Sequence, residues 1–319
     1  MQMSRRGLGL SLLASPALAS TWPERPVTLV IPFAPGAFTD SVGRFAAAAL
    51  TQRIGQNVVP ENRTGAGGTI AARLVARAAP DGYTLLLGTQ GINVSNASLM
   101  RNPGYDPVRD FTPIHGLAKL TATLVTNPSR PYRSVADVIE DARRRPGQVS
   151  FGSAGLGTVQ HLLGEMFQLS AGITLSHVPY RGGAPAVADL LAGNIDLMFD
   201  YPSPGLEMIR AGRTRALAVA AARRMAALPD IPTMAEAGVP RVTAETWFAV
   251  FAPRALPKDV RRRLDTELAG IVASSEFREF LDRTGADPVP LGGIEFERFV
   301  AAETEAWRSF AEATGFRID

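Results

Sequence analysis

The strongest constraint on this chain is an alternation. From residue 27, short apolar runs take turns with longer stretches of helical spacing: "VTLVIPF" (27–33), "TDSVGRFAAAALTQRIG" (39–55), "NVVPEN", "GGTIAARLVARAAP" and "YTLLLGT" (83–89). A short apolar run bounded by turn residues reads as a buried strand, and a longer run with an apolar stripe reads as a helix. Strand–helix alternation implies parallel pairing with helical crossovers, so the chain is α/β. The alternation returns further on: the helix "SVADVIEDARRRPG", with Ser134 and Asp137 in capping-box spacing, then "VSFGSA", "TVQHLLGEMFQLSAG", "ITLSHVPY", "APAVADLLAG", "IDLMFD", "GLEMIRAG" and "TRALAVAA".

Between the two blocks, "FTPIHGLAKLTATLVTNPSRPY" is rich in β-branched residues and lacks helical period. It reads as two extended passes that cross from one domain to the other. Beyond Pro229 comes a Pro-rich connection with a short helix in "LPDIPTMAEAGVP", a strand in "AETWFAVFAP" and three closing helices. In the first of these, Val260, Leu264, Leu268 and Ile271 share one face. The tail holds no second full β/α set and most simply completes the first domain. The expected organisation is therefore two lobes, residues 20–122 with 226–319 and residues 123–225. Each lobe is a mainly parallel sheet flanked by helices. Two crossover segments form a hinge, with a cleft between the lobes. A chain of 319 residues with 46% hydrophobic residues can fill two such cores.

The N-terminus, "MQMSRRGLGLSLLASPALAS", has a basic start at Arg5 and Arg6, an apolar run from Leu8 to Leu13 and a small-x-small site at Ala17–Ala19. That is a secretory signal peptide over residues 1–19, cleaved near Ala19, and it points to the periplasm. Both the general and the twin-arginine routes fit. The formal net charge is +3. Losing the leader removes Arg5 and Arg6 and no acid, so the mature chain is close to neutral. With no long Lys/Arg stripe, nucleic acid is not an expected partner. The absence of cysteine excludes disulfides, thiolate nucleophiles and Cys-based zinc sites.

Small residues gather at particular loops. Six loops follow a strand's carboxyl end and precede a helix: 32–40, 61–68, 88–93, 152–158, 179–185 and 199–205. Open parallel sheets bind ligands at that edge. The phosphate-loop pattern G-x-x-x-x-G-K-[ST] is absent. The dinucleotide pattern fails because Gln160 and Ile70 stand where a small residue is needed. The nucleophile elbow G-x-S-x-G is absent around Ser153. Of His115, His161 and His177, only His161 lies near a Gly-rich loop, with no evident acid partner. No His/Asp/Glu cluster has metal-ligand spacing, and no cofactor is expected. What remains is an anion cradle, because backbone N–H groups at helix N-termini bind carboxylates without a cationic side chain.

The loops resemble those of a known family. "WPERPVTLVIPFAPGAFTD", "VVPENRTGAGGTIAA", "APDGYTLLLGT", "NPGYDPVRDFTPI", "SFGSAGLGTVQHLLGEMF", "HVPYRGGAPAVADLLAGNIDLMFD" and "LPDIPTMAEAGVP" are similar to segments of the Bug solute-binding proteins, the periplasmic receptors of tripartite tricarboxylate transporters. The likeness covers almost all of the mature chain. It implies a two-lobed, type II-like periplasmic binding protein fold that acts as a monomer. It also implies a small carboxylated ligand (a dicarboxylate, amino acid or aromatic acid) and a two-subunit membrane permease as partner.

Carried over position by position, the resemblance places the ligand among Phe33, Pro35, Gly36, Ala37, Phe38, Asp40 and Thr89 of the first lobe. In the second lobe it points to Ser153, Gly155, Gly157, Thr158, His161, Tyr180, Arg181, Gly182, Asp200 and Tyr201. The chain departs from the family pattern at Ala37, where a second glycine is usual, and at the bulky Phe38. Arg181 stands where Lys is frequent, and Tyr201 where Asn is frequent. If position 37 needs an unusual φ, Ala37 is strained. These changes suggest a ligand with an aromatic ring. Thr158 is either a carboxylate contact or a plain N-cap. Asp40 is a water-mediated contact or a helix cap, and Asp200 takes a ligand ammonium or orders its loop. Arg63 is a carboxylate clamp or a turn pin. Trp247 and Phe248 read as core. Two other functions share the cleft: a ligand sensor signalling to a membrane partner, and an enzyme acting on a small organic acid.

Overall fold

The computed structural model describes residues 22–318. The leader and its cleavage site at Ala19 lie outside the described residues. The first sheet begins with β1 (Val27–Ile31), β2 (Val58–Asn62), β3 (Thr84–Thr89) and β4 (Phe111–Thr121). Among them lie α1 (Phe38–Ile54), α2 (Thr69–Ala76) and the short α3 (Asn96–Leu99). The second sheet holds β5 (Thr123–Thr126), β6 (Ser150–Ser153), β7 (Ser176–Pro179), β8 (Leu197–Asp200) and β9 (Arg215–Val219). Its helices are α4 (Val135–Arg144), α5 (Val159–Ala171), α6 (Gly183–Ala192) and α7 (Pro202–Arg210). The chain returns to the first sheet with β10 (Glu245–Pro253). It closes with α8 (Lys258–Val272), α9 (Ser275–Thr284), β11 (Asp287–Pro288) and α10 (Gly293–Thr314).

Strand order is β11-β4-β10-β3-β1-β2 in one sheet and β7-β6-β8-β5-β9 in the other. The sheets are more mixed than the alternation implies. β1 runs parallel to β2 and β3, and β6 runs parallel to β7 and β8. The crossing strands are antiparallel: β10 against β3 and β4, and β5 against β8 and β9. A strand that enters a sheet from the other lobe arrives without a helical crossover, so nothing forces it to run parallel. Ala122 alone separates β4 from β5. Its carbonyl accepts the N–H of Ala220 at 2.9 Å, so the outgoing and returning crossovers are tied together.

Each sheet is covered on both faces. Val260, Leu264, Leu268 and Ile271 of α8 are buried with Val42 and Leu50 of α1 on one face of the first sheet. Ala72 and Val75 of α2 pack with Phe296 of α10 on the other. The second sheet buries Val138, Leu163 and Phe167 on one side, and Val187 and Leu190 on the other. Local signals set the helix ends. Gly55 takes the left-handed conformation that stops α1, and Ser134 and Asp137 form a full capping box on α4. The short helix expected in "LPDIPTMAEAGVP" is instead a turn. Thr233 and Glu236 exchange bonds of 2.7 and 3.1 Å in capping-box fashion, but Gly238 and Pro240 follow too closely for a helix to propagate.

Candidate ligand-binding site

The parallel strands β1–β3 and β6–β8 each end at a loop rich in small or turn-forming residues, and all six loops meet at one cavity of about 130 Å³. The first sheet contributes Phe33, Gly36, Ala37, Phe38 and Thr39 from the first loop, Gly67 from the second, and Thr89 and Gly91 from the third. The second sheet contributes Ala154 and Thr158, then Gly183 and Ala184, then Asp200 and Tyr201. The loops touch across the cleft. The Ala34 N–H donates to the Arg181 carbonyl at 3.1 Å. A Cβ on Gly67 would stand 1.7 Å from the Leu156 carbonyl oxygen, so that contact requires glycine.

First-turn residues of three helices line the cavity: Phe38 and Thr39 of α1, Val159 and Gln160 of α5, and Gly183 and Ala184 of α6. The opening N–H groups of a helix lack intrahelical partners and carry the positive end of its dipole. Among the described residues, no Lys, Arg or His lines the cavity. A bound anion would therefore be held by amides and hydroxyls. Phe33, Phe38, Phe248 and Tyr201 supply aromatic walls. Phe38 lies 5.0 Å from Phe248 between ring centroids, and Tyr201 meets Phe248 edge-on at 6.3 Å. Tyr201 shares a hydrogen bond with Thr246, another lining residue.

Among the described residues, Asp200 is the one carboxylate in the lining. Burial pushes it up to about 7, against the pull of the Tyr201 N–H that it accepts at 2.8 Å. Gln160 is buried, and its Oε1 accepts the Ala154 N–H at 2.8 Å. That bond fixes which end of the amide is the oxygen and leaves Nε2 as a donor beside Gly183.

Of the residues expected from sequence, Phe33, Gly36, Ala37, Phe38, Thr89, Thr158, Asp200 and Tyr201 line the cavity. Pro35, Asp40, Ser153, Gly155, Gly157, His161, Tyr180, Arg181 and Gly182 stand behind or beside it. Asp40 is buried, and burial alone would raise its pKa. Bonds from Arg44 Nε, Asn62 Nδ2 and the Gly36 N–H outweigh that and hold it below the usual range. It therefore ties the first loop to α1. Tyr180 donates to Asp189 at 2.6 Å. Arg181 is exposed and reaches across the cleft only through its carbonyl. Arg63 pairs with the neighbouring Glu61 and pins its turn. Ala37 is unstrained, with φ −104° and ψ 174°; the left-handed residue is Gly36, at φ +96°. Thr158 caps α5 and also faces the cavity.

The histidines form structure around the loop at 153–158. Ser153 Oγ lies 2.7 Å from His177 Nε2, and His177 stacks on His161 at 4.1 Å. The Gly157 N–H donates to His161 Nδ1 at 3.3 Å, which makes that nitrogen an acceptor. Burial, with His161 alongside, lowers His177 to about 3. His115 is buried in β4, its Nδ1 2.5 Å from the Gly116 carbonyl.

Sequence reasoning missed Gln160, Val187, Met208 and Thr246 as lining residues, and assigned Phe248 to the core alone. Phe248 is both core and wall. These residues sit inside helices or strands, and only the tertiary arrangement turns them toward the cleft.

Known proteins share this arrangement. Residues 42–316 match the model of the tripartite tricarboxylate transporter family receptor. The chain belongs to this family. It is 38% identical over 95% of its length, and 91% of the relative, to a protein of Pseudomonas sp. (strain P51) described as "UPF0065 protein in tcbD-tcbE intergenic region". It is 36% identical to protein BugT of Bordetella pertussis over 96% of this chain and 94% of that one. Among solved structures, "R. palustris Rpa4515 with adipate" superposes with a TM-score of 0.87 at 40% identity, covering 93% and 99% of the two chains. The periplasmic binding protein BugD superposes at 0.88 with 34% identity, covering 93% and 99%. MatC (Rpa3494) from Rhodopseudomonas palustris, with bound malate, superposes at 0.86 with 31% identity, covering 90% and 99%. The receptor is thus a periplasmic-type solute-binding protein in family and in fold.

Proposed function

We propose that this receptor is exported to the periplasm, binds one small carboxylate between its two lobes, and delivers it to a two-subunit tripartite tricarboxylate-type permease. The observation that carries this reading is the convergence of six loops and three helix N-termini on a single cavity that, among the described residues, no Lys, Arg or His lines. Amides and hydroxyls bind an anion reversibly, which suits a protein that must release its cargo. The lobes are residues 20–122 with 226–319, and residues 123–225. The tied crossovers at Ala122 and Ala220 serve as the hinge. The chain acts as a monomeric receptor, without a cofactor, and makes or breaks no bond. The Ser153–His177 pair does not reach the cavity, so it supplies no nucleophile there.

Ligand contacts in this reading come from the amides at 37–39, from Thr89 and Thr158, and from Asp200 and Tyr201. The aromatic walls favour a ring or another flat apolar body. The adipate and malate bound by two similar structures agree with a carboxylate as cargo. The test begins with mass spectrometry of the supernatant from denatured, freshly purified protein. Uptake of the released compound is then measured in cells lacking the coding sequence. A copurifying carboxylate whose uptake is lost supports the reading; unchanged uptake refutes the transport role.

A further inference from the structure

The cavity has a polarity that the receptor reading leaves unused. Its donors are backbone amides, hydroxyls and the Nε2 of Gln160, whose Oε1 is occupied by the Ala154 N–H. Among the described residues its one carboxyl side chain is Asp200, buried beside Tyr201 with no Lys, Arg or His in the lining. Gly205 of α7 packs against that carboxylate, where a Cβ would come within 2.9 Å of Oδ2. The arrangement suits a carboxylate at the donors and a hydrogen-bond donor at Asp200. A second carboxylate would meet an acid in a closed, largely apolar space, without a counter-ion to offset its desolvation.

We infer that this receptor selects a ligand with a single carboxylate, held by Gln160 and the helix ends, and a hydrogen-bond-donating group, ammonium or hydroxyl, that Asp200 accepts. The inference rests on the receptor reading and narrows it, because an unsubstituted diacid becomes the disfavoured ligand. Burial pushes Asp200 up to about 7, so its state is set by what faces it. The titratable group beside it is Tyr201, whose hydroxyl burial pushes far up and which stays neutral. A donor-bearing ligand binds the ionised Asp200. A diacid binds only the protonated form, which can donate to the second carboxylate.

Two matched series test this by calorimetry on protein stripped of ligand by unfolding and refolding. One is adipate, 6-hydroxyhexanoate and 6-aminohexanoate. The other is terephthalate, 4-hydroxybenzoate and 4-(aminomethyl)benzoate. Each series keeps the body and changes only the far group, and the hydroxyl and ammonium arms show which donor is preferred. At pH 8 a donor-bearing member should bind at least about tenfold tighter than its diacid. Between pH 6 and pH 8 its affinity should rise about tenfold while that of the diacid falls about tenfold. Those factors follow from the ionised and protonated fractions of a group titrating at about 7. Asp200→Asn should erase both pH trends, and Gln160→Leu should weaken every carboxylate in the panel. The wild-type pH pair needs no variant to fold. A diacid that is the tightest member of its series at pH 8 overturns the inference and leaves the receptor intact. Failure of these and all other carboxylates to bind overturns the receptor reading, and the inference with it.

Discussion

Ala34 and Arg181, on loops from different sheets, are joined backbone to backbone: the Ala34 N–H donates to the Arg181 carbonyl at 3.1 Å. The arginine side chain is exposed and takes no part. Arg181→Ala should therefore leave ligand affinity within about twofold, since exposed substitutions away from special features rarely exceed about 0.5 kcal/mol. Gly182→Val should weaken it strongly, because a Cβ at 182 would stand 2.9 Å from the Ala34 nitrogen. Calorimetric titration of both variants checks the contrast.

Gly67 is a point of close contact between the two sets of loops. A Cβ there would overlap the Leu156 carbonyl oxygen at 1.7 Å, and its φ of +61° already disfavours other residues. Gly67→Ala should hold the lobes apart. The expected results are a loss of affinity of about tenfold or more and a larger radius of gyration with ligand present. An unchanged affinity would mean that closure does not need this contact.

Acid should loosen the second sheet's cleft loop. His177 is lowered to about 3 by burial and by His161, whereas an unfolded histidine titrates near its ordinary value. Between those two values the unfolded chain binds the extra proton, so the contribution is complete above about pH 6.5 and is lost as pH falls toward 3. The melting temperature should drop over that window, and His177→Gln should flatten the slope. A slope unchanged by the substitution would assign the effect to another group.

Thr158 does two jobs. Its Oγ1 donates to the Gly155 carbonyl at 2.7 Å and caps α5 by accepting the His161 N–H at 3.4 Å. Thr158→Ala should cost about 1 kcal/mol of stability and lower the melting temperature by roughly 2 °C. Thr158→Ser should restore both stability and affinity. Binding that falls while stability holds would make the residue purely a ligand contact.

The parts of this architecture readable from sequence are those set by local pattern. The apolar runs of β1 and β3, Gly55 at the end of α1 and the Ser134–Asp137 box all act within a few residues. The six loops rich in Gly, Pro, Ser, Thr or Asn were legible as a group because parallel strands place them on one edge. What stayed hidden depends on long-range geometry. The direction of β10 is fixed by its neighbours β3 and β4, far away in sequence. Gln160 carries no local mark of a cavity-lining residue, because its orientation follows from the Ala154 N–H that it accepts. Asp40 carries the loop-motif signature of a site residue, yet Arg44 and Asn62 use its carboxylate for structure.

The most direct measurement is a thermal-shift panel on the ligand-stripped mature protein, using mono-, di- and tricarboxylates, amino acids and aromatic acids. At 100 times its dissociation constant a ligand adds about 2.7 kcal/mol, which should raise the midpoint by roughly 5 °C. The expected result is such a shift with a carboxylate, cut to about half or less by Gly67→Ala at the same ligand concentration. A folded, stripped protein whose midpoint no carboxylate moves would contradict the reading of this cavity as a carboxylate receptor site.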